Sequence, residues 1–195
     1  MLRARNLYRR NPVARTPARD LALAGLFAAL TAVGAKLMLP LGPVPFTLQP
    51  LVVYLCGVLL RPRLALMAQL VYLGVGLLGL PVFAYGGGPG YVLNPTFGFL
   101  VGFALGAWVI SLVVHGGSEC GWGRLLAGLT LGMAVVYACG VAGLYLNLAV
   151  FQGKAQAFRT VILGFGWFVI FDLVKIVLAA LLARPLRAAV AAREA

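Results

Sequence analysis

The chain has 195 residues, 63% of them hydrophobic and only 10% charged, whereas a soluble domain averages about 45–50% apolar and 25% charged. A water-soluble globule is therefore excluded, and the length suits one integral-membrane domain built almost entirely of spans. The formal charge of +12 does not mark a nucleic-acid-binding surface, because the positives stand at the ends of apolar segments, as topology signals do.

Residues 1–20, MLRARNLYRRNPVARTPARD, hold six arginines and one acidic residue, Asp20. They read as a disordered basic tail at an anionic membrane surface. The apolar run behind them is as long as a full span and no small-residue cleavage site closes it, which argues against a cleaved signal peptide. About 20 apolar residues cross a bilayer. Segments 21–39, 46–60, 64–80, 96–114, 125–148 and 161–183 accordingly predict an all-α, six-transmembrane-helix bundle over residues 21–187, with a short tail at 188–195. The second and third segments are short and joined by Arg61-Pro62-Arg63, a tight turn. Pro40, Pro62, Pro81 and Pro185 fall at segment ends, where helix termination is expected.

With the N-terminus inside, the tail, Arg61, Arg63, Arg124, Arg184, Arg187 and Arg193 share one side. The other side holds Lys154 and Arg159, with Lys36 near its boundary. The positive-inside rule then predicts both termini in the cytoplasm.

In the first segment, Ala24, Ala28 and Ala32 recur every fourth residue. Such a small-xxx-small face lets helices approach closely in lipid. It suits either packing against another span of the same chain or docking of a separate membrane subunit.

Two loops on the predicted outer side, LPLGPVPFTLQP (39–50) and GLPVFAYGGGPGYVLNPTFGF (79–99), are rich in proline, glycine and aromatics and carry no charge. A solvated loop would be polar. At membrane depth, irregular backbone is tolerated where it is buried in protein or lines a cavity, so these loops are expected to form the lid and wall of a pocket. A re-entrant pore loop has the same composition. Glycines 86–88 permit close backbone approach, and Tyr85, Tyr91 and Phe97 supply flat faces. Asn94 and Gln49 are the amides of these loops. The sequence GGGPG lacks the GK[ST] ending of a nucleotide-binding loop and the strand before it, so any ATPase belongs to another subunit.

Cys56, Cys120 and Cys139 are isolated and show no metal-ligand spacing. His115 is expected in the loop beside Gly116 and Gly117. In the sixth segment, FDLVK (171–175) contains the only two charges of a long apolar run. Asp172 is about 13 residues from Arg159, roughly 20 Å along a helix, where each lone charge costs on the order of 2.5–3.5 kcal/mol. The i, i+3 spacing puts Asp172 and Lys175 on one face, able to pair. A buried pair is a poor stability device by itself, so a functional site is expected. Trp167, Phe168 and Phe171 are expected around it. Two carboxylate acceptors and three ammonium donors among aromatics suit a small, partly apolar ligand with N–H donors and a carbonyl or acidic group. A self-sufficient secondary transporter, a pore and a lipid-directed membrane enzyme are the competing classes. The enzyme would need a nucleophile–base or metal constellation beyond one carboxylate and one lysine.

GPVPFTLQ (42–49), GLPVFAYGGGPGYVLNPTFGFLVGF (79–103) and FDLVK (171–175) together resemble the BioY family, the biotin-binding S components of energy-coupling-factor (ECF) vitamin transporters, over residues 20 to 187. The resemblance implies a multi-pass protein of the bacterial cytoplasmic membrane that binds biotin from outside. It also implies docking on a transmembrane T subunit with two ATPases, no cofactor on this chain, and no enzymatic activity. By that resemblance Asp172 would accept the ureido N–H groups, Asn94 would help hold that ring, and Tyr85 and Tyr91 would pack on the bicycle. Lys175 would meet the carboxylate or orient Asp172. Lid amides of Gly86, Gly87 and Gly88, or Lys154 or Arg159, are alternatives for the carboxylate. Ala24, Ala28 and Ala32 would face the T subunit.

Overall fold

Apolar segments form helices in lipid because each backbone polar group must find its partner within the segment. The computed structural model describes residues 17–40, 44–117 and 120–192 and is mostly helical. Helix α1 spans Pro17–Lys36. A two-residue antiparallel hairpin follows, with β1 (Met38–Leu39) against β2 (Phe46–Thr47) in the register Met38 to Thr47 and Leu39 to Phe46. Then come α2 (Gln49–Leu59), α3 (Pro62–Leu77), a 3-10 turn (Pro89–Leu93), α4 (Phe97–His115) and α5 (Trp122–Tyr145). A π-helical continuation (Leu146–Phe151) leads into α6 (Ala155–Ala192).

Among the described residues, four stretches are long and apolar enough to cross a membrane: α1, α4, Trp122–Phe151, and Phe165–Arg187 within α6. Helices α2 and α3 occupy the second and third predicted segments, but with 11 and 16 residues they are shorter than a full crossing. The apolar run 46–60 predicts helix from its start. In the structure Phe46 and Thr47 are consumed by hairpin pairing instead.

Three further expectations are corrected. Pro185 does not end α6, which continues to Ala192. A proline removes one helical donor, but in membrane helices neighbouring groups take up the freed carbonyl. Pro62 starts α3 rather than ending α2, since the first turn has no use for its missing N–H. His115 is the last residue of α4, its Nδ1 3.0 Å from the Ser111 carbonyl oxygen, and not a loop residue. Residues 17–20 of the predicted basic tail belong to α1, and residues 1–16 lie outside the described residues.

Burial is inverted relative to a soluble fold. Leu163, Trp167 and Leu80 are exposed, while Thr31, Gln49, Gln69, Ser111, Asp172 and Lys175 are buried. Lipid is as apolar as leucine, so packing and interhelical hydrogen bonds replace the hydrophobic drive. Gln69 of α3 donates to the Thr31 hydroxyl of α1 at 3.2 Å, and Ser111 of α4 donates to the Leu60 carbonyl at 2.6 Å.

Small residues set the closest approaches. Helices α4 and α5 pack along their length, with Gly98 against Gly143 so tightly that a Cβ on Gly98 would stand 2.5 Å from the Cys139 carbonyl. Ala24 and Ala28 are 0% and 8% exposed and sit in one core cluster with Ala65, Ala68 and Tyr72 of α3. Ala32 is partly buried against the same cluster. Of the two readings of this stripe, the structure gives intramolecular packing. Ala24 and Ala28 are closed off by this packing, while Ala32 keeps part of its surface open.

The chain order puts the hairpin, the segment between α3 and α4, and the π continuation at one end of the bundle. The α2–α3 turn, the α4–α5 connection and the end of α6 lie at the other end, and with them Arg61, Arg63, Arg124, Arg184 and Arg187.

Candidate functional site

The hairpin end encloses a cavity walled by β2, the start of α2, the 3-10 turn, and helices α4, α5 and α6. Helix α6 contributes Phe165, Phe168, Asp172 and Lys175. Their spacing of three or four residues places them on one helical face. Trp167 and Phe171 fall on the opposite side of that period and are 70% and 48% exposed. The expected aromatic surround is therefore corrected: Phe168 lines the cavity, Trp167 does not, and Phe171 is off the wall but packs on the Phe46 ring, 5.1 Å between centroids.

Asp172 and Lys175 are 6% and 4% exposed. Lys175 Nζ donates to Asp172 Oδ1 at 2.6 Å, and the Tyr137 hydroxyl of α5 donates to Oδ2 at 2.9 Å. A carboxylate has about four acceptor sites, so two donors fix its plane and leave acceptor capacity on both oxygens. The ammonium also sits 4.0 Å from the centre of the Phe46 ring. That face attracts a cation more strongly where water is excluded. Charge pairing, a phenol donor and an aromatic face together offset the cost of burying these groups. Phe99, Phe165 and Phe168 continue the apolar wall, with centroids 6.0 Å and 5.4 Å apart along the row.

A different wall is polar without charge. Gln49 Nε2 donates to the Tyr72 hydroxyl at 2.8 Å, which in turn donates to the Val82 carbonyl at 3.3 Å. Thr47 Oγ1 donates to Gln49 Oε1 at 3.3 Å. Tyr91 and Thr96 share a hydrogen bond of 3.0 Å, and Thr96 gives its own hydroxyl hydrogen to Asn94 Oδ1 at 2.8 Å, so Tyr91 is the donor to Thr96. These bonds tie the cavity wall to the segment between α3 and α4.

That segment folds down onto the bundle, as its uncharged composition requires. Phe83 is fully buried, stacked obliquely on Tyr91 at 4.6 Å and edge-on to Tyr72 at 5.4 Å. Lys36 Nζ donates to the Phe83 carbonyl at 2.8 Å. The glycines shape this fold. Gly88 has φ +100° and donates its N–H to the Gly76 carbonyl at 2.7 Å. A Cβ on Gly87 would stand 2.1 Å from the Leu80 carbonyl.

Of the residues singled out from sequence, Asp172, Lys175 and Tyr91 meet at the cavity. Tyr85, Asn94, Gly87 and Gly88 are not on its wall. Tyr85 is 42% exposed, Asn94 spends its carbonyl oxygen on the backbone and hydroxyl of Thr96, and the two glycines build the turn. Lys154 and Arg159 are exposed and also off the wall. Sequence reasoning missed Tyr137, Phe46 and Phe165. Helical spacing back from Asp172 finds Phe165, and a phenol alone in the apolar LGMAVVYACGV marks Tyr137. No local signal announces that Phe46 faces Lys175 across more than a hundred residues.

A family model described as the BioY family matches residues 7–192. The chain is 43% identical over 168 residues to a probable biotin transporter BioY of Lysinibacillus sphaericus, covering 86% of each chain. It is 42% identical over 170 residues to the biotin transporter BioY of Thermotoga maritima, covering 87% of this chain and 96% of that one. Among solved structures, it resembles the S-component for biotin from an ECF-type ABC transporter with a TM-score of 0.75 and 23% identity, over 87% of this chain and 91% of the other. That last likeness is one of fold.

Proposed function

The chain belongs to the BioY family, and from that premise we propose that it is the substrate-specific component of a bacterial ECF-type biotin importer. It is a carrier and not an enzyme. Its similarity to named biotin transporters supports the substrate, and its fold likeness to an S-component supports the class of machine.

The observation that carries the reading is the buried Asp172 carboxylate, held by two donors against an aromatic cavity. A cyclic urea presents two N–H donors side by side, and the acceptor capacity left on Asp172 matches them. Lys175 supports this by orienting Asp172: its ammonium is already engaged by the carboxylate and the Phe46 ring. Tyr91 and the phenylalanine row would cover the apolar bicycle. The free space at the centre of the cavity is about 60 Å³, on the order of a few water molecules.

In this reading the chain crosses the bacterial cytoplasmic membrane six times, with both termini in the cytoplasm and the cavity outside. A transmembrane T subunit and two ATPases would drive release inward, with ATP bound only on those subunits. Calorimetry of biotin binding to the purified chain tests the proposal. Tight binding by wild type and a roughly 10- to 100-fold loss in Asp172→Asn are expected, since a hydrogen bond to a charged group contributes about 1.5–3 kcal/mol. No binding by folded wild type sinks the substrate. Equal affinity in D172N removes Asp172 from the site.

A further inference from the structure

At the end of the bundle opposite the cavity, the start of α5 and the end of α6 leave a recess of about 270 Å³ walled by Cys120, Leu125, Arg184 and Arg187. Leu125 is buried and forms its floor. Arg184 and Arg187 are one turn apart on α6 and share a face. The Arg184 guanidinium lies over the Trp122 ring, 4.1 Å from its centre. Among the described residues, neither guanidinium has a carboxylate partner.

Depth identifies what such a recess takes. The apolar stretches Trp122–Phe151 and Phe165–Arg187 both end here, so the recess stands where hydrocarbon meets headgroups. Tryptophan is favoured at that level, its ring half in each phase. One turn deeper, Leu126 and Leu181 are exposed and offer apolar surface to acyl chains. Two guanidinium forks, one turn apart, match phosphate oxygens in geometry and in charge. Topology alone requires only positive charge at this end, which Arg61, Arg63 and Arg124 also supply. It does not require two arginines gathered around a recess with an indole beneath one of them.

We propose that this recess binds the phosphate headgroup of an anionic membrane lipid, with Arg184 and Arg187 on the phosphate and Trp122 fixing Arg184.

The test uses the purified full chain in mixed micelles, titrated with phosphatidylglycerol or phosphatidylcholine, and lipid retention is read by native mass spectrometry. Wild type is expected to retain phosphatidylglycerol in a saturable way with a roughly tenfold preference or more. The R184Q/R187Q variant should lose that preference, and R61Q/R63Q, with the same charge removed from the same end, should keep it. R184K/R187K preserves the charge should the glutamine variant fail to fold, and it should weaken the preference because lysine cannot fork or stack. An equal loss in R61Q/R63Q, or an unchanged preference in R184K/R187K, overturns the site in favour of diffuse charge. Displacement of the lipid by millimolar inorganic phosphate overturns the lipid in favour of a soluble anion.

Discussion

A buried charge is tolerable only when its neighbours are specified, and Asp172 shows how few neighbours suffice. Lys175 holds one oxygen from within α6, and Tyr137 holds the other from α5. Tyr137 is thus a positioning residue for the proposed ligand contact. Tyr137→Phe should weaken biotin binding roughly 3- to 10-fold, the value of one modest hydrogen bond, with the fold intact by thermal unfolding. An unchanged dissociation constant would show that Lys175 alone orients the carboxylate. The pair itself was legible in the sequence, because two charges in a long apolar run have no other purpose than each other and a ligand. Tyr91 was legible as an aromatic of an uncharged loop. Asn94 was legible only as an amide, and an amide in a loop serves a ligand and a helix start equally well on paper. Only the distances to Thr96 reveal that its oxygen is already spent.

Among elements, glycine spacing decides how closely helices run. Gly98 and Gly143 bring α4 and α5 into backbone contact, and α5 delivers Tyr137 to Asp172 from that position. Gly98→Val should therefore lower stability by about 1–3 kcal/mol, as overpacking does. It should also weaken ligand binding by displacing α5, measured by thermal unfolding in micelles beside calorimetry. A wild-type unfolding profile would show that α5 can shift without cost. The alanine stripe of α1 carries the same lesson in reverse. Its period announced close packing, but the partner was α3 of the same chain, since periodicity marks a face without saying what covers it. The hairpin escaped notice because two residues per strand leave no period to read. Its consequence is large, since β2 sets Phe46 above Lys175 and Thr47 beside Gln49.

For the whole molecule, the arrangement of charges predicts a labelling pattern. Cys120 is half-buried at the arginine-rich end, Cys56 is buried, and Cys139 lies within α5. A membrane-impermeant maleimide should label Cys120 in inverted vesicles and spare it in right-side-out ones. The opposite pattern would reverse the proposed orientation. Composition and spacing alone specify the solvent, the helical segments, the charge asymmetry between the two ends, and the presence of a charged pair in an apolar helix. These follow from composition and spacing, because lipid forbids unsatisfied backbone and penalises every charge regardless of tertiary context. Packing between segments sets which residues complete the cavity, places the glycine turn behind its wall, and joins two helix ends into a second, basic recess. Those depend on contacts between segments far apart in the chain, and burial between two helices is a property of neither helix alone.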